Sequence, residues 1–310
     1  MAWGQQQKTE SKTAKATYDK EYYRNTFMNN TAHSVPVRMA LVAKENCGKT
    51  GLAVSIIRQV RPKGKIYVFD IDNSAQATLE AAYPDDKEII VLPLLDERDE
   101  SIYNEDATVN YANLVADKMN FYVNIVADVA KEEDVAGIIM DGGSTFLKWC
   151  EHAMTDVLLR RGVIKEEGDS FNQKEWRTRN QLNRDVLTRL HGLPVPCVIN
   201  TFHLKDVSNY VDNGSGGKVL MKIGERPDWD KGTMRLFSQQ IFLSRYMKKA
   251  DAAAGVKADP SLKNTDDWVI KATIEEIKGK HMEHVGETHT ILSVIKGDVK
   301  WAGLPFLNWK

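Results

Sequence analysis

The sequence predicts an α/β fold in which a mostly parallel sheet is flanked by helices, with antiparallel strands at the C-terminal end. From Val35 to about His203, short apolar runs that are typical of strands covered on both faces alternate with helical stretches. Strand–helix alternation predicts parallel pairing, because each helix carries the chain back across the sheet. After His203, strand-like segments follow one another without helices. The late part is therefore expected to be antiparallel.

The predicted elements follow in order along the chain. The strands expected in the first part are residues 37–42, 66–71, 89–93, 136–140 and 195–201. The helices expected between them are residues 50–60, 74–82, 108–131, 145–160 and 173–192. The later strands are expected at residues 218–223, 238–247 and 268–278, with a hairpin at 288–302. Residues 1–34 are polar, and we expect an N-terminal arm that is disordered alone or docks on a neighbour, followed by one domain at 35–310.

Composition excludes several classes of protein. The 310 residues include 42 basic and 43 acidic side chains, for a net charge of −1, which argues against a surface coated in basic charge but permits basic loops. No apolar run is long enough to span a membrane, so we expect no membrane partner. The three cysteines are widely spaced and form no CxxC motif, as expected of free thiols in a reducing cytoplasm.

A phosphate-binding loop is predicted at the end of the first strand, where Gly48-Lys49-Thr50 opens a helix. The free N–H groups and partial positive charge of such a helix start hold a phosphate anion. Lys49 is expected to reach the β- and γ-phosphates, and the Thr50 hydroxyl to ligate Mg²⁺. Ala43 replaces the first glycine of the pattern and is expected to restrict the loop, because alanine resists φ > 0. The residues expected to bind the nucleotide are Ala43, Lys44, Glu45, Asn46, Cys47, Gly48, Lys49, Thr50 and Gly51.

A second metal ligand is predicted at the end of another strand. The apolar run of residues 138–140 ends in Asp141, and ligands bind at the C-terminal ends of strands in open α/β sheets. Asp141 is therefore expected to hold Mg²⁺ together with Thr50. Gly142 rather than a second carboxylate follows Asp141. A base that orients an attacking water must then come from elsewhere.

Two further strand ends carry candidates for that role. Asp70 and Asp72 follow the second strand, and Asp72 is the stronger candidate for polarising water. The alternative is that both carboxylates cap the helix that begins near Ser74. The strand at 195–201 leads to the polar residues Asn200, Thr201 and His203, of which His203 is the chosen candidate. A polar group there is expected to lie beside the γ-phosphate and to report hydrolysis to the loop that follows. The alternative for His203 is the ordinary polarity of a strand end.

Together these motifs resemble those of RecA-like ATPases, in the same order from about Val37 to Ile295. The similarity is closest to short members, encoded by phages and viruses, that act in recombination and single-strand annealing. It implies that residues 35–310 form a RecA-like P-loop ATPase domain that uses ATP and Mg²⁺ and hydrolyses the γ-phosphate. A viral protein of this kind would act in the host cytoplasm. The catalytic residues implied within one subunit are Lys49, Asp72, Asp141 and His203.

The resemblance also implies a homo-oligomer, either a ring or a filament. Lys278 and Lys280 resemble an element that family members insert into the nucleotide site of a neighbouring subunit, and they are therefore the implied catalytic residues in trans. Two residues apart on a strand, both side chains leave the same face. The alternative is a lysine-rich strand end exposed to solvent.

The resemblance further implies that single-stranded DNA binds at two loops, which here are residues 160–184 and 204–235. The first has a basic excess and a tryptophan that can stack on a base, and the second is flexible and carries lysines and arginines. The predicted DNA-binding residues are Arg161, Trp176, Arg177, Arg179 and Lys218. The alternative is a solvated helix face and a surface hairpin.

Two other functions stay open at this level: a hexameric helicase or packaging motor, and a nucleotide-gated assembly protein with slow turnover. A metal site at His281, His284 and His289 is not favoured. These histidines fall in a predicted strand and turn rather than on a helix with i, i+4 spacing.

Overall fold

The strands of the described chain form one sheet whose centre is parallel. The computed structural model describes residues 36–96, 98–166, 169–212, 217–279 and 281–305. Its strands are β1 (Val37–Ala43), β2 (Lys65–Asp70), β3 (Ile89–Pro93), β4 (Val135–Asp141), β5 (Cys197–Asp212), β6 (Lys218–Pro227), β7 (Gln239–Met247), β8 (Lys257–Ala258), β9 (Trp268–Ile277), β10 (Thr288–Ile295) and β11 (Asp298–Trp301). They make an 11-stranded sheet in the order β11-β10-β9-β7-β1-β5-β4-β2-β3, with β6 beside β5 and β8 beside β7. The predicted arm at residues 1–34 and Lys280 lie outside the described residues.

The predicted fold class is confirmed. Strands β3, β2, β4, β5, β1 and β7 pair in parallel, and the pairs of β9 with β7, of β10 with β9 and of β11 with β10 are antiparallel. One detail differs from expectation. The strand at 238–247 is expected in the antiparallel part, but this strand, β7, pairs in parallel with β1. The antiparallel part therefore begins one strand later.

Helices cover both faces of this sheet. They are α1 (Lys49–Val60), α2 (Ala75–Ala82), α3 (Met119–Glu132), α4 (Gly143–Arg160) and α5 (Gln173–His191). A helical turn and a π-helical segment at residues 111–118 precede α3. Leu52 and Ile56 of α1 are buried in a cluster with Met39 of β1. Phe146 of α4 is buried on the other face with Val198 of β5. Each such buried side chain stabilises the fold by about 1.5–3 kcal/mol.

The two predicted DNA loops have regular structure. Residues 204–212 of β5 pair antiparallel with β6, so the segment expected to be a loop at 204–235 begins as a β-hairpin. The segment expected at 160–184 is a loop only up to Asn172, where α5 starts. The start is set by a capping box, in which Asn172 accepts from the Glu175 backbone N–H and the Glu175 carboxylate accepts from that of Asn172.

Within the part of the chain that the structure describes, no helix combines the length and the apolar character needed to cross a bilayer.

Candidate active site

The phosphate loop joins β1 to α1 at the C-terminal edge of the parallel strands. Gly48 adopts φ 66, which favours glycine, and a Cβ at this position would lie 3.0 Å from Cδ1 of Ile270, so that this side chain would have to shift. Asn46 is the other left-handed residue of the loop, with φ 55. Ala43 ends β1 in ordinary strand pairing opposite His203. The expectation that Ala43 restricts the loop is therefore wrong, because this position does not need φ > 0.

Asp141 lies between two threonine hydroxyls at the start of α1. Thr50 Oγ1 donates to Oδ2 of Asp141 at 2.7 Å, and Thr201 Oγ1 donates to Oδ1 at 2.6 Å. Thr201 Oγ1 also accepts from the backbone N–H of Gly142 at 2.9 Å. Asp141 is 4% exposed. Burial raises the pKa of this carboxyl, and the two hydroxyls and the charge of Lys49 oppose that shift.

Lys49 lies beside these oxygens. Its Nζ donates to the backbone carbonyl of Lys44 at 3.0 Å, within the loop itself. Burial lowers the pKa of Lys49, and the nearby Asp141, Cys47 and Asp72 oppose the shift. The ammonium group therefore lies in partly desolvated surroundings, where an added phosphate anion is attracted more strongly than in water.

Asp72 and His203, predicted from two different strands, meet at this edge. His203 Nε2 lies 3.6 Å from Oδ2 of Asp72. Burial alone would raise the pKa of Asp72, but its polar contacts with His203 and Thr145 and the charge of Lys49 lower it below its usual value. Asp72 is therefore ionised at neutral pH.

Asp70 has a different role from Asp72. Its oxygens accept from the backbone N–H groups of Ser74 and Ala75, each at 3.1 Å, and its side chain is buried. The alternative interpretation, helix capping, thus describes Asp70, which satisfies N–H groups at the start of α2.

A hydroxyl not singled out as a site residue connects the active-site edge to the hairpin. Ser144 Oγ accepts from the His203 backbone N–H at 2.9 Å and donates to the Asp228 carbonyl at 2.8 Å. Asp228 follows β6 and forms an ion pair with Lys205 of β5. The only local signal for Ser144 is its place in the Gly-Gly-Ser-Thr run after Asp141.

A second connection runs from the phosphate loop to the hairpin. Lys44 Nζ lies 2.8 Å from Oε1 of Glu225, and the same oxygen pairs with Lys222, which also pairs with Asp206. Beside these residues is a cavity of about 390 Å³ that reaches Cys47 and the segment 250–258. Its volume is within the range of small-molecule sites.

The predicted DNA-binding residues lie on three separate elements. Arg161 follows α4, Lys218 begins β6, and the other three are in the first turns of α5. The Arg179 guanidinium lies over the Trp176 ring at 4.5 Å and 3.3 Å from Glu151. Arg177 is exposed. Trp176 and Arg179 would therefore have to give up these contacts within the protein in order to contact DNA.

Lys278 lies far from the phosphate loop of its own chain. Its Nζ donates to the Phe237 carbonyl at 2.7 Å. Its backbone N–H donates to the Ser238 carbonyl, and the Ser238 backbone N–H donates to the carbonyl of Arg38, near the start of β1. Arg38 and Lys44 are separated by about 20 Å at 3.3 Å per residue of strand. Lys278 therefore does not belong to the site formed by its own Lys49.

Comparisons with known proteins identify no family. No protein-family model matches the sequence, and no curated protein is significantly similar to it. Among solved structures, the chain is similar to the RadB recombinase, with a TM-score of 0.41 and 8% identity over 86% of this chain and 91% of that one. It is also similar to the flagellar accessory protein FlaH from Methanocaldococcus jannaschii, with a TM-score of 0.29 and 10% identity over 86% of this chain and 90% of that one. At these values the likenesses say nothing of activity, so function is argued from the site.

Proposed function

We propose that this protein is a RecA-like ATPase that binds ATP with Mg²⁺ and hydrolyses the γ-phosphate. The observation that carries the proposal is the cluster of Thr50 and Thr201 hydroxyls on the buried Asp141, next to Lys49 at the start of α1. A helix start, an ammonium group and a carboxylate with a hydroxyl partner are the parts that a phosphate loop uses for a nucleoside triphosphate.

The donor set fits Mg²⁺. Asp141 and Thr50 supply hard carboxylate and hydroxyl oxygens, which Mg²⁺ prefers, and their side chains already lie within hydrogen-bond distance. When bound, Mg²⁺ neutralises charge on the phosphate oxygens. Thr201 fixes the rotamer of Asp141 by bonding its other oxygen.

The remaining residues act on phosphate and water. Lys49 leaves its carbonyl partner to bind phosphate oxygens, and the ionised Asp72 orients the attacking water by accepting its proton in a hydrogen bond. His203, next to Asp72, detects the γ-phosphate and transmits its loss through the Ser144 hydroxyl to the hairpin, a role supported by its contacts with Asp72 and Ser144.

We further propose that the protein acts as an oligomer on single-stranded DNA, in recombination or annealing. The hairpin of β5 and β6 supports this, because it combines the exposed aromatic Tyr210 with Lys218 and connects to the active-site edge through Ser144. Stacking on an aromatic ring and attraction to lysine are the means by which proteins hold single strands.

Nucleotide affinity and phosphate release test the ATPase proposal. The Lys49→Ala variant is expected to lose tight Mg²⁺–ATP binding, while Lys63→Ala, an exposed lysine in the turn before β2, keeps it. Equal affinity in both variants contradicts the phosphate-loop assignment.

Oligonucleotide binding tests the DNA proposal separately. A labelled single strand is expected to bind at about 50 mM salt and to be released as salt rises, with weaker binding for Tyr210→Ala by about 1–3 kcal/mol. Absence of binding favours the nucleotide-gated assembly protein. Strand displacement on a forked duplex favours the helicase.

A further inference from the structure

The connection from β9 to β10 gathers metal-ligating side chains outside the site described above. His281, Glu283 and His284 each offer one donor atom, and these atoms all lie within 4.8 Å of one another. The 3₁₀ turn Met282–His284 brings the three residues together. His281 adopts φ 69, and its ring lies nearly parallel to that of His284, with centroids 5.9 Å apart.

The distances between donors match those of ligands that share one small cation. His281 Nδ1 lies 3.5 Å from Oε1 of Glu283, and His284 Nε2 lies 3.8 Å from the same oxygen. In a tetrahedral zinc site with bonds near 2.0–2.1 Å, two ligand atoms are about 3.3 Å apart. Small side-chain rotations would therefore close this cluster on a metal ion.

A second carboxylate orients one of these imidazoles. Oε2 of Glu287 lies 2.9 Å from His284 Nδ1 and 2.9 Å from His289 Nε2. An ionised carboxylate can only accept, so His284 Nδ1 donates to Glu287, and Nε2 is the ring nitrogen left to bind a metal ion. This carboxylate–histidine arrangement is the usual outer support of a metal-binding imidazole.

We propose that His281, Glu283 and His284 form a Zn²⁺ site with three protein ligands, positioned by Glu287. Two imidazoles and one carboxylate suit Zn²⁺ better than Mg²⁺ or Ca²⁺, which prefer oxygen ligands only. Glu283 is 68% exposed, so the fourth position is open to water or to a side chain from another molecule. A metal site is not favoured by the spacing of these histidines, which lacks the i, i+4 pattern of a helix, but the donor atoms come together in a 3₁₀ turn instead.

The site is independent of the proposed ATPase activity. The connection that carries the site begins with Lys278, after the end of β9, and ends before Thr288. A bound cation would fix the part of the chain that follows Lys278 without touching the phosphate loop.

Calorimetric titration of the dialysed full chain with Zn²⁺ alone tests the proposal. One equivalent is expected to bind, and Co²⁺ is expected to give the visible absorption of a tetrahedral complex. The His281→Gln and His284→Gln variants are expected to lose most of this affinity, and Glu287→Gln to lose about 10- to 100-fold. His152→Gln is the matched control, because His152 stacks on Tyr111 outside the cluster.

Unchanged Zn²⁺ affinity in a His281→Gln/His284→Gln double variant overturns the proposal. Thermal unfolding of each variant shows whether it folds. If a histidine variant does not, Glu283→Gln gives the same test, because this exposed side chain contributes little to packing, and undiminished binding by that variant also overturns the site.

Discussion

Nε2 of His203 lies 3.6 Å from Oδ2 of Asp72, although the two residues come from strands that are not neighbours. Strand β4 lies between β2 and β5. The two side chains meet over Gly142, where an added Cβ would lie 2.8 Å from the Asp72 carboxylate. Glycine after Asp141 is thus what allows a carboxylate from the neighbouring strand to approach the site.

Replacing Asp72 by asparagine should slow ATP hydrolysis by about 10²-fold or more, because the amide is a far weaker acceptor for the proton of the attacking water. Nucleotide affinity should be kept, since Lys49 and Thr50 are unchanged. Single-turnover phosphate release and fluorescent-nucleotide binding measure the two effects. Asp70→Asn is the control, because asparagine can still cap α2. A larger rate loss in the control would assign the role to Asp70.

Gly142→Ala should lower hydrolysis by displacing Asp72. The residue has φ 100, and the new methyl group would meet the carboxylate at 2.8 Å. Gly162→Ala separates crowding from backbone strain, because Gly162 has φ 66 but nothing lies within 4 Å of its added Cβ. Both variants should lose about 1–2 kcal/mol of unfolding free energy, but only Gly142→Ala should lose activity. Equal activities would show that the contact with Asp72 does not matter.

Asp141→Asn should stabilise the nucleotide-free protein while removing its response to Mg²⁺. Burial raises the pKa of Asp141, so its contribution to stability falls as pH rises from the ordinary aspartate range through the raised value. Wherever the buried carboxylate is ionised, it is therefore unfavourable for the free protein, and the amide removes that cost. Melting temperatures with and without Mg²⁺–ATP measure both effects. Asp128→Asn, on the exposed side of α3, is the control and should change neither the stability of the free protein nor its response to Mg²⁺. An Asp141→Asn variant that still gains stability from Mg²⁺ would argue against the metal role.

Local pattern predicted the parts of this site that depend on one strand and its following turn. Lys49, Thr50 and Asp141 follow apolar runs, and the sheet brings strand ends together whatever the loops do. Sequence pattern did not reveal the pair of Lys44 with Glu225, because residues so distant in the chain meet only through the hairpin register. The hairpin itself was partly hidden, since its strands are exposed and β6 carries apolar side chains such as Leu220 and Ile223 on the surface, so that hydrophobic periodicity carries little information.

Because Lys44 belongs to the phosphate loop, its pair with Glu225 should weaken nucleotide binding. The ion pair holds the Lys44 ammonium 2.8 Å from a hairpin carboxylate, in competition with incoming phosphate. Glu225→Gln should raise ATP affinity by up to about fivefold, since partly exposed pairs contribute at most about 1 kcal/mol. Asp206→Asn is the matched control, because Asp206 pairs with Lys222 but not with Lys44. Affinity measured at low salt should change only for Glu225→Gln, and an equal rise in both variants would indicate a general charge effect.

Lys278 can assist hydrolysis only in another subunit. Its backbone N–H donates to the Ser238 carbonyl, and the Ser238 backbone N–H donates to the carbonyl of Arg38, near the start of β1. Six residues of β1, about 20 Å, separate Arg38 from Lys44 of the phosphate loop. Its side chain rests on the Phe237 carbonyl and near Glu276, and it is 45% exposed. A neighbour's nucleotide could therefore draw the ammonium away at modest cost.

Mixing two inactive variants tests this arrangement. Lys278→Ala should leave nucleotide affinity intact but slow hydrolysis, because a cation that stabilises charge on the transferring phosphoryl group would be missing. Lys49→Ala should fail at the binding step. Mixed oligomers should regain part of the activity, since an intact phosphate loop from the first variant can meet an intact Lys278 from the second. Lys271→Ala, a lysine of β9 paired with Asp259, is the control that should be active alone. If mixed oligomers form and no activity returns, or if Lys278→Ala alone hydrolyses ATP at the normal rate, Lys278 has no role in a neighbouring site.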